Sequence, residues 1–276
     1  MLASLIIVFR EVLEAGLIIG IVLAATRGVP GRGRWVTAGI VGGVAGACLV
    51  AAFADVISDQ MEGTGQELFN AAVLLTAVVM LAWHNAWMAR HGREHAAEMR
   101  AVGRAVETGE RPPQALAVVV GAAVLREGAE VVLFLTGIAS ADGGGAVQLA
   151  LGSAGGIALG ALAALLIYKG LLNIPVRHLF TVTSWLITLL AAGMAASAMA
   201  YLTQAGVVSI GGEELWDTRF LLTDQSLAGQ VLHILVGYTD RPSALQAAAW
   251  VAVVAGITLL TRLARPQPPA SSVPAE

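Results

Sequence analysis

The chain reads as an all-α, polytopic membrane protein, and three observations lead there. Hydrophobic residues fill 57% of 276 positions, charged residues only 13%, and the mean hydropathy is +0.76, a balance that soluble domains of this size do not show. Apolar stretches of helical length recur along the chain, and about 20 helical residues cross a hydrocarbon core of about 30 Å. The short polar–apolar alternation of a barrel is missing, and lipid admits only helices or closed barrels because backbone polar groups find no water there.

Seven spans follow in order. Span one, 2–26, is broken by Arg10, Glu11 and Glu14. It lacks a basic n-region and its apolar stretch is too long for a cleaved leader, so it is expected to be retained. Span two, 35–57, carries Gly39, Gly42 and Gly43, and also Cys48, the lone cysteine, read as a small packing residue. One cysteine excludes disulfides and cysteine metal sites within the chain. Span three, 68–90, ends in His84, Asn85 and Trp87-Met88; the two polar residues could line a path, but packing between helices is their expected role. Beyond it Arg93, Glu94, Glu98 and Arg104 predict a solvated helical extension. Span four, 114–139, holds Arg126, Glu127 and Glu130, and span five, 146–168, holds Gly152, Gly155 and Gly156. Span six is 180–203. A loop of about forty residues follows, in which Leu227 to Tyr238 predicts a short amphipathic helix and His233 a hydrogen-bonded packing histidine. Span seven is 245–263, and the Pro-rich tail to Glu276 is expected to be disordered.

Basic residues follow spans one, three, five and seven, and the positive-inside rule makes that side cytoplasmic. The expected orientation is N-terminus out and C-terminus in, with an acidic outer face that concentrates cations. Arg-Glu-x-x-Glu at Arg10 recurs 116 residues later at Arg126, and the glycine cluster of span two recurs in span five. Spans one to three (1–90) and four to six (114–203) therefore read as two copies. Three being odd, the second copy runs upside down, an inverted 3+3 repeat with an extra helix at 245–263 and a cytoplasmic tail at 264–276.

Each triplet sets charge where an ion at the bilayer centre costs about 2.5–3.5 kcal/mol. Residues three apart share a helical face, so Glu11 and Glu14 point together, as do Glu127 and Glu130. Arg10 and Arg126 each precede the second acid by four residues, within reach of a charge-assisted hydrogen bond. Four acids against two arginines leave two negative charges for a cation to relieve, and all-oxygen ligation selects hard ions. The bland alternative is that the triplets only staple spans one and four together.

These motifs, Arg10-Glu11-Val12-Leu13-Glu14 and Arg126-Glu127-Gly128-Ala129-Glu130, resemble the paired Arg-Glu-Gly-Leu-Glu motifs of the iron permease family, fungal and bacterial EfeU-type. The resemblance extends over nearly the whole chain, including Trp87-Met88, Leu215-Trp216-Asp217-Thr218, Gly237-Tyr238, Pro242-Ser243 and Gln246. Val12 and Ala129 depart from the motif. The resemblance implies iron as transported substrate, Glu11, Glu14, Glu127 and Glu130 as its ligands, and Arg10 and Arg126 as their companions. It also implies an extracytoplasmic redox partner of haem peroxidase or multicopper oxidase type, since no redox cofactor site is expected here. The outer loop is the expected docking surface, with Glu213, Glu214, Asp217 and Asp224 as capture residues.

Other readings are set aside or left open. His91-Gly92-Arg93-Glu94-His95 matches a zinc-protease pattern but falls in a segment of mixed charge, so no enzyme is expected. A Walker A loop needs Lys before Ser or Thr, whereas the single lysine, Lys169, precedes Gly170. No nucleic-acid partner is expected. An importer of iron in the inner (cytoplasmic) membrane is the leading expectation; a transporter of lead or manganese and a non-transporting sensor or assembly subunit remain as alternatives.

Overall fold

A computed structural model describes residues 1–59, 66–142, 145–170, 176–209, 211–224 and 226–264. Among them lie eight helices: α1 (Leu2–Ala25), α2 (Arg32–Asp59), α3 (Gln66–Glu107), α4 (Gln114–Asp142), α5 (Ala146–Tyr168), α6 (Val176–Gln204), α7 (Leu227–Val236) and α8 (Ala244–Ala264). All seven sequence spans fall on helices, and the short α7 lies where an outer-loop helix was expected. The tail from 265 onward lies outside the described residues. α2, α3, α5, α6 and α8 are each long and apolar enough to cross a membrane. α1 and α4 are as long, but each carries three charged residues at its middle.

The distribution of burial is that of a protein in oil. Leucine, valine and aromatic side chains such as Val41, Phe53, Trp83, Leu151, Trp185 and Leu263 point outward, while Arg10, Glu11, Glu14, His84, Asn85 and Glu127 are buried. Water would favour the reverse, since apolar burial is what it rewards.

Pairing follows the small residues. α1 packs along α5, α2 along α4, and α3 against α6, with α1 and α4 meeting at the centre. A methyl group on Gly43 would lie 2.8 Å from the Gly121 carbonyl, and one on Gly156 would lie 2.7 Å from the Leu5 carbonyl, so only glycine permits these approaches. Residues 5 and 121 stand 116 apart, the offset that also separates Arg10 from Arg126.

Two apolar cores sandwich the charged layer. One joins Ile7 of α1, Leu74 and Leu81 of α3, and Phe134 and Ile138 of α4; the other joins Ile18 and Val22 of α1, Met99 and Val106 of α3, and Leu116 and Val120 of α4. Residues before the triplet on α1 thus meet residues after it on α4, so the two helices run antiparallel. α3 is longer than its span because its extension is a working part of the second core. That corrects the expectation of a merely solvated helix: Glu94, Glu98 and Arg104 are exposed, but Met99 and Val106 are buried. Cys48 also departs from expectation, being exposed on α2 rather than packed.

The loop between α6 and α8 is tied to the bundle by the motif residues found there. Leu215 N–H donates to the Pro242 carbonyl, and the Thr218 hydroxyl shares a 2.7 Å hydrogen bond with Tyr238. Ser243 and Gln246 form a reciprocal capping box on α8, satisfying two amides that the helix cannot. α7 ends at Gly237, whose φ of 72° suits glycine, and Trp250 Nε1 donates to Val236 O at 2.6 Å.

Candidate metal centre

Both triplets sit near the middle of their helices and turn toward each other. One ligand atom each from Glu11, Glu14 and His84 lies within 4.8 Å of the others, and one oxygen each from Glu11, Glu127 and Glu130 does likewise. Glu11 belongs to both sets, so the four sequence-predicted acids occupy one continuous cluster.

The two arginines reach their acids unequally. Arg10 Nε stands 2.8 Å from Glu14 Oε1 and its Nη1 3.6 Å from Glu11, with the arginine side chain 2% exposed. Arg126 Nε donates to Glu130 Oε1 at 3.2 Å, yet its side chain is 34% exposed and stacks 4.1 Å over the Trp87 ring. Trp87 in turn stacks on His91. That stacking places the first histidine of the protease-like pattern; the His95 side chain lies outside the described residues.

His84 is the residue whose role sequence reasoning undervalued. It comes from α3, is buried, and contacts Glu130 through Nδ1 and Glu14 through Nε2 at 3.8 Å. Of the two groups, one thus pairs an imidazole with carboxylates and the other is carboxylate alone. The signal available was its place in an apolar span, as for the triplets. Asn85 does what was expected of both, its amide reaching Ser184 O and Thr188 Oγ1 on α6.

The cluster is not fully satisfied by protein. Both oxygens of Glu11 and Oε2 of Glu127 have no well-directed hydrogen-bond donor among the described residues. Buried carboxylates in that condition are costly unless a countercharge meets them. A cavity of 510 Å³ reaches the cluster from one flank, between Trp83, Trp87 and Phe134, touching His84, Arg126 and Glu130. A second cavity of 500 Å³ lies between α1, α3 and α5, but its charged lining is Arg100, Arg104 and Glu107, one carboxylate against two cations. Chemistry points to the first.

The acids of the loop between α6 and α8 stand apart. Asp217 pairs with Arg219 at 2.6 Å and lies 3.9 Å from Arg241, while Glu214 accepts from Arg241 at 3.1 Å. The Arg219 guanidinium holds the Asp217 carboxyl down to about 2. Asp224 and Asp240 each accept from the other's backbone amide, and burial pushes the Asp224 carboxyl up. Glu213 is exposed. His233 Nδ1 meets the Tyr238 carbonyl at 2.6 Å, as a packing histidine should.

The family model described as the Iron permease FTR1 family matches residues 1–264. A ferrous iron permease EfeU of Escherichia coli O6:K15:H31 is 31% identical over 254 residues, covering 91% of each chain. One from Yersinia pestis is 30% identical over 247 residues, 88% of this chain and 86% of its own. One from Shigella flexneri is 33% identical over 186 residues, 67% of this chain and 78% of its own. No solved structure matches.

Proposed function

The chain belongs to the iron permease FTR1 family, a multi-pass membrane transport family and not an enzyme family, and from that premise we propose that it imports iron across the cytoplasmic membrane through the buried glutamate cluster. Glu11, Glu14, Glu127 and Glu130 are the ligands, and Arg10 and Arg126 each pair with the second acid of their motif. The observation that carries this reading is the convergence of both Arg-Glu-x-x-Glu motifs from antiparallel helices in one largely buried, carboxylate-rich layer.

All of α1 to α6 and α8 span the bilayer, α1 and α4 included, because their charges face each other and not lipid. The pairing of α1 with α5 and α2 with α4 is unchanged when spans one to three (1–90) are exchanged with spans four to six (114–203), which supports the inverted repeat with 245–263 as an addition. The N-terminus lies outside and the C-terminus inside, as the arginine asymmetry requires. Apolar cores above and below the cluster act as the two gates, one opening while the other stays shut. Iron is handed over at the outer loop by an extracytoplasmic redox or iron-binding partner, with Glu213, Glu214, Asp217 and Asp224 as the collecting surface.

Iron accumulation by purified protein in liposomes tests the reading, wild type beside Glu11→Gln/Glu14→Gln and Glu127→Gln. Transport should vanish in both variants at unchanged protein abundance. A pair of triplets that merely stapled helices would instead lower abundance, and a lead or manganese carrier would ignore iron as a competitor.

A further inference from the structure

We propose that His84 is a fifth ligand of the cation cluster and the residue that biases it toward iron over hard divalent cations. This rests on the glutamate-cluster reading above and adds a selectivity element to it.

Geometry carries the argument. His84 contacts Glu14 on α1 and Glu130 on α4, one acid from each triplet, and is the nitrogen donor of a described ligand set whose other members are carboxylates. The side chain is 4% exposed, and its ring nitrogens have no hydrogen bond of good angle among the described residues. A histidine that served packing alone would be expected to aim at a carbonyl, as His233 does, and not between two acids. His84 also breaks the symmetry of the site. Helix α6, the counterpart of α3 in the repeat, holds one histidine, His178, in its first turn, far along the chain from its middle. The four acids come in matched pairs; the imidazole is single.

Chemistry supplies the consequence. Carboxylate oxygens accept Mg²⁺, Ca²⁺ and Mn²⁺ readily, whereas imidazole suits iron, nickel, copper and zinc. One nitrogen among four carboxylates therefore favours ferrous iron against the hard ions that outnumber it, without building a closed zinc site. The cavity beside Trp83 and Trp87 is bordered by both His84 and Glu130, so the imidazole and an acid of the second triplet face one open space.

The test uses liposome-reconstituted wild type, His84→Gln and Glu127→Gln. Ferrous iron uptake is measured alone and against a large excess of Mn²⁺ or Mg²⁺. His84→Gln should still transport but lose about tenfold or more of its preference for iron, the scale on which single partners act at metal sites. An unchanged preference overturns the role of His84, while loss of uptake in Glu127→Gln leaves the glutamate reading standing. Normal uptake by Glu127→Gln sinks that reading and this one with it. X-ray absorption of the wild type loaded with ferrous iron gives a check independent of variant folding. The scattering pattern of one imidazole is expected, and a shell of oxygen alone refutes the assignment.

Discussion

Arg10→Gln should be much more damaging than Arg126→Gln, although both residues open the same five-residue pattern. The Arg10 side chain is 2% exposed and faces Glu14 at 2.8 Å and Glu11 at 3.6 Å, so glutamine would leave two buried carboxylates without their nearest countercharge. Removing one partner of a buried pair costs about 3–5 kcal/mol. Arg126 is 34% exposed and its Glu130 keeps His84 as a neighbour. A partly exposed pair contributes about 0.2–1 kcal/mol, and the stack on Trp87 adds about 0.5–1 kcal/mol. The two variants should thus differ by about 1–4 kcal/mol. At about 2–4 °C per kcal/mol for a chain of this size, that is about 2–16 °C in the unfolding midpoint. Thermal unfolding of the purified variants in one detergent reads it directly. Arg10→Gln/Glu14→Gln should recover much of the loss, because the acid leaves with its base. Equal midpoints for the two single variants, or a double variant no better than Arg10→Gln, would refute the reasoning.

Gly156→Val should separate α5 from α1 and cost about 1–3 kcal/mol by overpacking, because even a methyl there lies 2.9 Å from the Phe9 amide nitrogen; Gly42→Ala, with nothing within 4 Å, should leave the midpoint unchanged. Asp217 should titrate near 2 and not at its ordinary 3.8, so the ion pair with Arg219 holds fully above pH 3.8 and is lost as pH falls through about 2; carboxyl titration by NMR or infrared, with Arg219→Gln restoring the ordinary value, measures this. Ser243→Ala should cost about 1 kcal/mol by opening the capping box of α8, seen as faster amide exchange at Gln246.

Much of the candidate site was legible because charge inside an apolar span is conspicuous in the chain itself. Glu11, Glu14, Glu127 and Glu130 were picked out by their charge and spacing within apolar spans and by the family resemblance, and the structure gathers them. His84 was given a packing role because one imidazole near a span end looks the same whether it faces a helix or a ligand set. Asn85, its neighbour, does pack against α6, which illustrates how little the local sequence separates the two. The loop acids were read as capture residues; Arg219 stands two residues from Asp217 in the chain, whereas Arg241 reaches Glu214 only once the loop has folded back on α8.

By itself the sequence determined where the helices run, because hydrophobic length and the three-residue spacing of the acids are properties of contiguous chain. Span 146–168 and helix Ala146–Tyr168 coincide, and span 114–139 lies within Gln114–Asp142. The tertiary structure decided which charges are shared. It seals Arg10 while leaving Arg126 against Trp87, and it carries His84 on α3 into the space between two triplets 116 residues apart. Those outcomes depend on distances between segments remote in sequence, and electrostatic energy is set by such distances and by the burial around them.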